Sequence, residues 1–405
     1  MLPSLTYQSD FYRLISGALL NSNGRYESLE VFFRDELSEN AFPKMKWSEL
    51  LEVADENPSG EYTQVIGTNS QPVMANYVSD DSEGQLMSNA GFSLNKDTMP
   101  IMRRMLNFNE KSVRDGQYLM ERGGMPDYQR IFNSFNKDAS DLIATLHMLR
   151  SFSTLQVEST GKLLTDAENN AGGIQGLKID FLQYAPAENR QKCGGFADKV
   201  YPSLGKKFPW TDEKAYPIGD LMDMYNYYRN VALVPFRGVF RMNAKTFSLF
   251  VNHPSTITEV KVWKTKALAS AENLVHYVIT NEDINEYLST RLGLPVISVE
   301  DWYGITSVLD PATQKIVKSP QVAFADGVVV LRPEGKFGEL QWTRPSSLFA
   351  TPINPMYYAD GGKIGVRQII DSKVRSMQFI AESRGIPVPR NIDYFLYLDI
   401  TKAAN

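Results

Sequence analysis

Residues 127–155 read DYQRIFNSFNKDASDLIATLHMLRSFSTL. Tyr128, Ile131, Phe132, Phe135, Ala139, Leu142, Ile143, Leu146 and Leu149 step by three or four, while Asn133, Lys137, Asp138, Asp141 and Arg150 fall mostly off that stripe. This is the period of one helix face. Pro126 takes a first-turn position, where its missing N–H is no loss, and Gly123-Gly124 breaks the chain before it. At 1.5 Å per residue the predicted helix is roughly 40 Å long, well beyond the usual three turns. Such a helix is a backbone element around which other parts are arranged.

Upstream, residues 1–47 mix a short apolar-periodic piece (Phe11, Leu14, Ile15, Leu19) with the polar break Asn21-Ser22-Asn23-Gly24, and read as an arm with one or two short helices. Asn57-Pro58-Ser59-Gly60 then opens a different texture: alternating runs at 62–66 and 73–78 precede the acidic tip Asp80-Asp81-Ser82-Glu83-Gly84. Two extended runs around a polar turn make a long hairpin-like excursion, and an isolated two-stranded hairpin is marginal in water, so it needs a neighbour. Met99, Met102 and Met105 recur at helical spacing beside Ile101 and Leu106, which reads as soft packing into a core or interface.

Downstream, the pattern predicts a strand at 177–184 and a helix with Ile218, Leu221, Met222, Tyr225 and Tyr228 on one face. A further helix follows at 244–251. Residues 283–292 form a helix stopped by Gly293 and followed by the apolar strand 295–299, an α/β unit. Beyond Pro320 the chain is mostly β: 321–331, a turn at Glu334-Gly335-Lys336, then 337–343, with a last apolar run at 394–400. Strands that must pair with segments far back in the chain imply a discontinuous domain.

The composition narrows the function classes. With 405 residues, 43% hydrophobic and 22% charged, the chain has two or three compact units, and disorder is excluded for most of it. The 42 Lys and Arg against 47 Asp and Glu give a net charge of −5, which argues against electrostatic wrapping of nucleic acid but not against a surface that tolerates packed nucleic acid nearby. One cysteine, Cys193, cannot make an intrachain disulfide, so a reducing compartment is expected. Asp10 and Arg13 interrupt the apolar residues of the first twenty, so neither a signal sequence nor a membrane span is read there; a soluble cytoplasmic protein is expected. The 20 Tyr and 21 Phe fit either large partner surfaces or an aromatic-rich core.

No local constellation carries chemistry. Residues 172–178 place a Lys after a Gly but lack the spacing, the hydroxyl residue and the preceding strand of a phosphate loop. His147, His253 and His276 are far apart and fit no metal-binding helix pattern. Glu300-Asp301 follows a strand end, where functional groups gather, yet adjacent residues of an extended segment point opposite ways, which favours a turn or capping role. Asp80, Asp81 and Glu83 lack the spacing of a cation loop, and Cys193 has no nearby His to activate it. The expectation is no catalytic residue, no cofactor and no metal.

The order of elements is familiar. A long helix ending in Ser159-Thr160-Gly161-Lys162 resembles the spine helix of tailed-bacteriophage major capsid proteins, of the lambda-type major head protein family with the Hong Kong 97 type fold. Trp210-Thr211-Asp212 ahead of the helix near 217–229, then Phe240-Arg241-Met242-Asn243 and the run 246–254, resemble that family's axial-domain core. Leu292-Gly293-Leu294-Pro295 leading through Val299 to Tyr303, and 328–331 with Gly335-Lys336-Phe337-Gly338, resemble its later strands and turn. The likeness runs from about Met125 onward; before that it is one of architecture only.

The resemblance implies an α+β fold: an N-terminal arm (1–56), an extended loop (57–98), a peripheral domain (99–164 and 321–405) with its spine helix at about 127–155, and an axial domain (165–320). It implies a non-enzymatic shell protein of the virion capsid, assembled in the host bacterial cytoplasm. Partners would be further copies of the chain in hexamers and pentamers, a portal protein, a scaffolding protein and, optionally, decoration proteins. The shell would enclose double-stranded DNA without sequence-specific binding, and no membrane is involved. If Met1 starts the gene product, no removed N-terminal scaffold segment precedes it, hence the expectation of a separate scaffolding protein. Inter-subunit contacts are expected at Phe11 and Tyr12 of the arm, at Tyr62, Tyr77 and Phe92 of the extended loop, and at Arg103 and Arg104. The rival readings are an encapsulin-like cargo shell, a portal or tail component, and a hydrolase whose carboxylates converge from distant strands.

Overall fold

The computed structural model describes residues 45–66, 93–108, 125–166, 169–170, 175–183, 185–268, 279–309, 316–346, 356–371 and 376–404. The chain is α+β and divides into two compact units, each discontinuous in sequence. One holds the segments up to Tyr62, Lys96–Ser151 and Glu339–Val388; the other holds Thr63–Asn95, Phe152–Gly338 and Pro389–Asn405.

The quoted stretch forms helix α2, counted after the short α1 (Lys46–Leu50), and it runs Met125–Thr160, 36 residues and about 54 Å. It runs on past Leu149 with Leu155 and Val157 buried, and in its last turn the Thr160 hydroxyl donates to the Gln156 carbonyl at 2.7 Å. Gly161 ends it at φ +66°, a left-handed turn that a side chain disfavours, with its N–H on the Val157 carbonyl at 2.8 Å.

In the first unit a six-stranded sheet runs β1 (Leu51–Glu56), β13 (Gly338–Thr343), β16 (Ser376–Pro389), β15 (Ile364–Asp371), β14 (Met356–Ala359), with β4 (Ile101–Phe108) also on β16. The helical spacing of Met99, Met102 and Met105 is therefore misleading. Eight consecutive ladder pairs, from Ile101↔Arg384 to Phe108↔Met377, hold this segment as a strand, with Met102 buried and Met105 exposed. Leu142, Ile143, Leu146, Trp47, Trp342, Phe379 and Ile386 are among its buried residues.

In the second unit a mixed five-stranded sheet runs β7 (Arg190–Cys193), β17 (Leu396–Ala403), β12 (Val328–Pro333), β8 (Gly238–Asn243), β9 (Ile297–Glu300). β8 is buried along its whole length, as a central strand covered on both faces should be. Helix α3 (Pro217–Asn230) starts with proline in its first turn and buries Ile218, Leu221, Met224 and Tyr228. The Asn243 side chain caps α4 (Ala244–Val251) by accepting from Thr246 N–H at 2.8 Å, and α5 (Pro254–Leu268) follows. Thr280 and Asp283 form a capping box at α6 (Asn281–Glu286), which continues through a π turn to Arg291 and stops before Gly293 at φ +64°.

Three expectations change. The strand predicted at 177–184 is only β6 (Lys178–Asp180), paired with β5 (Lys162–Leu164), because Phe181 and Leu182 turn into the core. The run predicted at 321–331 is two strands, β11 (Ile316–Val322) and β12, broken at Gly327 with φ +71°. Strands β12 and β17, expected in the peripheral domain with the rest of 321–405, belong to the second unit's sheet, where β8 and β7 supply their hydrogen-bond partners. Outside the two large sheets lie two ribbons: β2 (Glu61–Ile66) with β3 (Ser93–Thr98), and β10 (Tyr303–Leu309) with β11.

Candidate functional site

The titratable groups that could have carried chemistry are engaged in holding structure. Cys193 is buried; burial, then Asp220 and Asp399, push its thiol far above the ordinary range. His253 contacts the Ser255 hydroxyl at 2.7 Å and the Asp212 carbonyl at 3.1 Å. Burial lifts the Asp220 carboxyl to about 7, although it accepts hydrogen bonds from Trp210 Nε1 at 2.8 Å and Gly194 N–H at 3.1 Å. Its helix neighbour Asp223 accepts from the Leu204 and Gly205 N–H groups. The pair thus pins the 194–210 excursion to the start of α3. Among the described residues no three His, Cys, Asp or Glu side chains group as a metal site. No helix among them is long and apolar enough to cross a membrane.

Each unit instead grips α2 through a buried ionic cluster. In the first unit Arg150, 1% exposed, donates to Asp360 Oδ2 at 2.9 Å, the Ser383 hydroxyl at 2.6 Å and the Lys363 carbonyl at 3.3 Å. Its guanidinium lies 5.6 Å from the Trp47 ring centre, and Lys363 Nζ shares Asp360 at 3.1 Å. Trp47 Nε1 donates to His147 Nδ1 at 3.3 Å, one helical turn back. Burial, then the nearby Arg150, lower the His147 pKa from 6.5 to about 4. The unfolded chain therefore binds more protons at this group between those values, so its contribution to stability falls as the pH drops from 6.5 towards 4. The Asp220 carboxyl, lifted to about 7, contributes the opposite slope, so the His147 contribution is read as a difference: the midpoint of the parent chain relative to His147→Gln, which keeps an acceptor for Trp47 but no titration, is expected to fall over that window.

In the second unit Glu158, with no exposed side-chain surface, accepts from Arg241 at 2.9 and 3.2 Å and from Arg332 at 2.6 Å. Arg241 also donates to Glu300 at 2.8 Å and the Ser298 hydroxyl at 2.6 Å, while Arg332 donates to the carbonyls of Pro333 and Gly335. Burial pushes the Glu158 carboxyl up, but Arg332 and Arg241 outweigh it and leave it below the ordinary carboxylate value. The cluster joins the last turns of α2 to β8, β9 and β12. Glu300, expected in a turn or cap, is thus chiefly a buried partner of Arg241, although its Oε1 also accepts from Trp302 N–H at 3.3 Å. Local sequence could not find these clusters, because Glu158, Arg241, Glu300 and Arg332 meet only through sheet topology.

The surfaces suited to partners are elsewhere. On the β10–β11 ribbon, Tyr303 faces Val322 and Ile305 faces Pro320 across the ladder; Tyr303, Ile305 and Val322 are all more than half exposed. Gly304, on the other face, lies against Phe152 and Trp302. Val231, Leu233 and Phe236 expose a second apolar group, and Leu233 sits at φ +51°. That conformation costs a leucine roughly 1–2 kcal/mol, offset for glycine by its greater unfolded-state entropy. Leu233→Gly is therefore expected to leave the thermal midpoint unchanged or raised; a drop would mean the leucine side chain stabilises the subunit.

Of the contact residues expected from sequence, Tyr62 is corrected: it is buried within its own chain, where burial and then Asp97 raise its hydroxyl to about 12. A strand position facing inward explains this. Arg103 is exposed and donates to Glu382 Oε2 from Nε at 3.1 Å and Nη2 at 2.7 Å. Arg104 is also exposed. Phe11, Tyr12, Tyr77 and Phe92 lie outside the described residues, as do His276 and the acidic residues 80–83. The β10–β11 ribbon was not foreseen among the contact residues.

No protein-family model matches the sequence, and no curated protein matches it. The chain is similar in structure to a protein assigned as a prophage capsid protein of Escherichia coli CFT073: 13% identity, 97% of this chain and 98% of that one, TM-score 0.45. It is similar to a phage-related protein of Bordetella bronchiseptica RB50 at 12% identity, covering 89% and 94%, TM-score 0.42. A third likeness, at 11% identity over 90% and 91% with TM-score 0.42, is to the capsid of an empty GTA particle.

Proposed function

We propose that this chain is a shell-forming major capsid protein of the Hong Kong 97 type, assembling with itself into hexamers and pentamers that enclose double-stranded DNA. The observation that carries the reading is the 36-residue helix α2, anchored by a buried ionic cluster in each of two α+β units, in a chain whose β10–β11 ribbon exposes an apolar ladder. A rigid axis with projecting, individually marginal β ribbons is what many repeated contacts need: each is weak, and multivalency adds them into a shell. Heterologous contacts of this kind close into rings. In this reading the sheet unit holding β4 and β13–β16 is peripheral and the five-stranded unit axial. A portal protein, a separate scaffolding protein and, optionally, decoration proteins are its partners, and the shell resides in the virion after assembly in the bacterial cytoplasm.

The ribbon tests the reading. Ile305→Lys with Val322→Lys changes exposed positions and is expected to leave the subunit's melting unchanged while abolishing large particles in sedimentation. Particles formed as readily as by the parent chain would contradict the ribbon's part in assembly. The contents of purified particles separate the rivals: long double-stranded DNA supports the phage shell, and an enclosed protein cargo supports an encapsulin.

A further inference from the structure

The net charge of −5 is spread unevenly. Residues 190–214, within the second unit, hold six Lys and Arg against three Asp and Glu, and residues 199–211 hold three lysines and no acid. The excursion 194–210 gathers these charges into one strip. Lys207 Nζ meets Asp198 at 2.9 Å, which closes the loop beside Lys199 and Lys206, and Lys214 Nζ lies 5.8 Å from the centre of the Phe208 ring. Lys199, Lys206 and Lys214 are exposed, and among the described residues only Lys207 of the four has an ion-pair partner. The loop is firmly mounted. Asp220 accepts from Gly194 N–H at 3.1 Å, and Asp223 from the N–H groups of Leu204 and Gly205 at 3.0 and 2.6 Å. A side chain at Gly205 would meet Asp220 Oδ1 at 2.5 Å, so glycine is what lets the backbone come down on these carboxylates. Yet the loop turns large apolar groups outward: Tyr201, Leu204 and Phe208 are 98%, 42% and 36% exposed. A loop that merely closed the core would bury them.

A fixed backbone that presents lysines around a projecting ring calls for an anionic partner, and the choice of lysine indicates which. The carboxylates of a protein partner are matched best by the planar fork of arginine, and lysine is depleted in protein–protein interfaces. A lysine is a compact point charge that follows phosphates without reading bases. We propose that the strip 199–214 is a contact for the phosphate backbone of double-stranded DNA, with Lys199, Lys206 and Lys214 set against phosphates around the projecting Tyr201. Such a contact is independent of sequence and strongly dependent on salt. The proposal rests on the shell reading above, which supplies the DNA, and gives that shell a defined place of contact with it.

Purified full-length chain, titrated against a short fluorescein-labelled DNA duplex and read by anisotropy, tests this. With three phosphates neutralised, affinity is expected to fall about 40-fold between about 50 and 200 mM salt, a log–log slope of about −2.7. Lys199→Glu with Lys206→Glu is expected to weaken binding at the lower salt by about tenfold or more and to cut the slope to about −1. Lys178→Glu with Lys336→Glu makes the same charge change at exposed positions outside the strip and is expected to leave affinity and slope as in the parent chain. All four lysines are exposed, so both variants are expected to melt with the parent. Lys199→Gln with Lys206→Gln, which adds no acid above Asp220 and Asp223, is expected to show the same reduced slope and carries the test if the glutamates disturb the loop. No duplex binding by the parent chain, equal losses in the strip and control variants, or tighter binding of single-stranded DNA of the same length would each overturn the proposal. Strip-dependent duplex binding by a chain that forms no closed particles would uphold this contact and sink the capsid reading. Closed particles from a chain whose duplex binding ignores the strip would do the reverse.

Discussion

Glu158→Ala is expected to destabilise the chain by about 3–5 kcal/mol, the range for removing one member of a buried ion pair. The alanine leaves two guanidiniums, Arg241 and Arg332, both at most 5% exposed, without their shared carboxylate. Arg241 keeps Glu300, so the uncompensated charge falls mainly on Arg332, whose remaining acceptors are two carbonyls. Urea denaturation of the second unit's signal checks this; a loss below 1 kcal/mol would mean the cluster tolerates an unpaired arginine. The same carboxyl sets an acid limit. Its folded pKa lies below the unfolded value of 4.5, so its stabilisation is complete above that value and lost as the pH falls through the depressed folded value. Glu158→Gln is expected to flatten that acid limb.

Asp360→Ala is the second large effect. It strips Arg150, 1% exposed, of its carboxylate and leaves a hydroxyl and a carbonyl in its place. A loss of about 3–5 kcal/mol is expected from the unpaired charge. Asp360 also sits at φ +52°, where alanine adds left-handed strain of roughly 1–2 kcal/mol. Asp360→Gly relieves the strain but not the charge, so it is expected to recover only the smaller part. Equal stability of the two variants would show that strain plays no part. Together these substitutions probe both anchors of α2, and both are expected to lower particle yield by lowering the folded population.

The helix, its stop at Gly161 and the helix at 244–251 were legible because local periodicity and caps decide them. The α6–Gly293–β9 succession was legible for the same reason, although a π turn completes the helix where a plain α-helix was expected. Strand β4 was not: Met99, Met102 and Met105 imitate a helical period, and only pairing with β16, more than 250 residues away, overrides it. The split at Gly327 was hidden inside one apolar run. Glu158, Arg241, Glu300 and Arg332 each look like ordinary surface charges in sequence, and tertiary topology alone makes them a buried cluster. Tyr62 shows the converse: an aromatic in a polar excursion reads as a contact residue, yet the strand's inward face claims it. The exposed ladder Tyr303, Ile305, Val322 could have been sought in the alternation of 303–309, had that run been read as a strand with its own face.

The central claim is that this chain builds a closed shell from copies of itself. Electron microscopy of the purified full-length chain tests that most directly. Closed icosahedral particles whose walls are hexamers and pentamers of this chain are the predicted result. A single ring of copies, or a population that stays monomeric under those conditions, would contradict it.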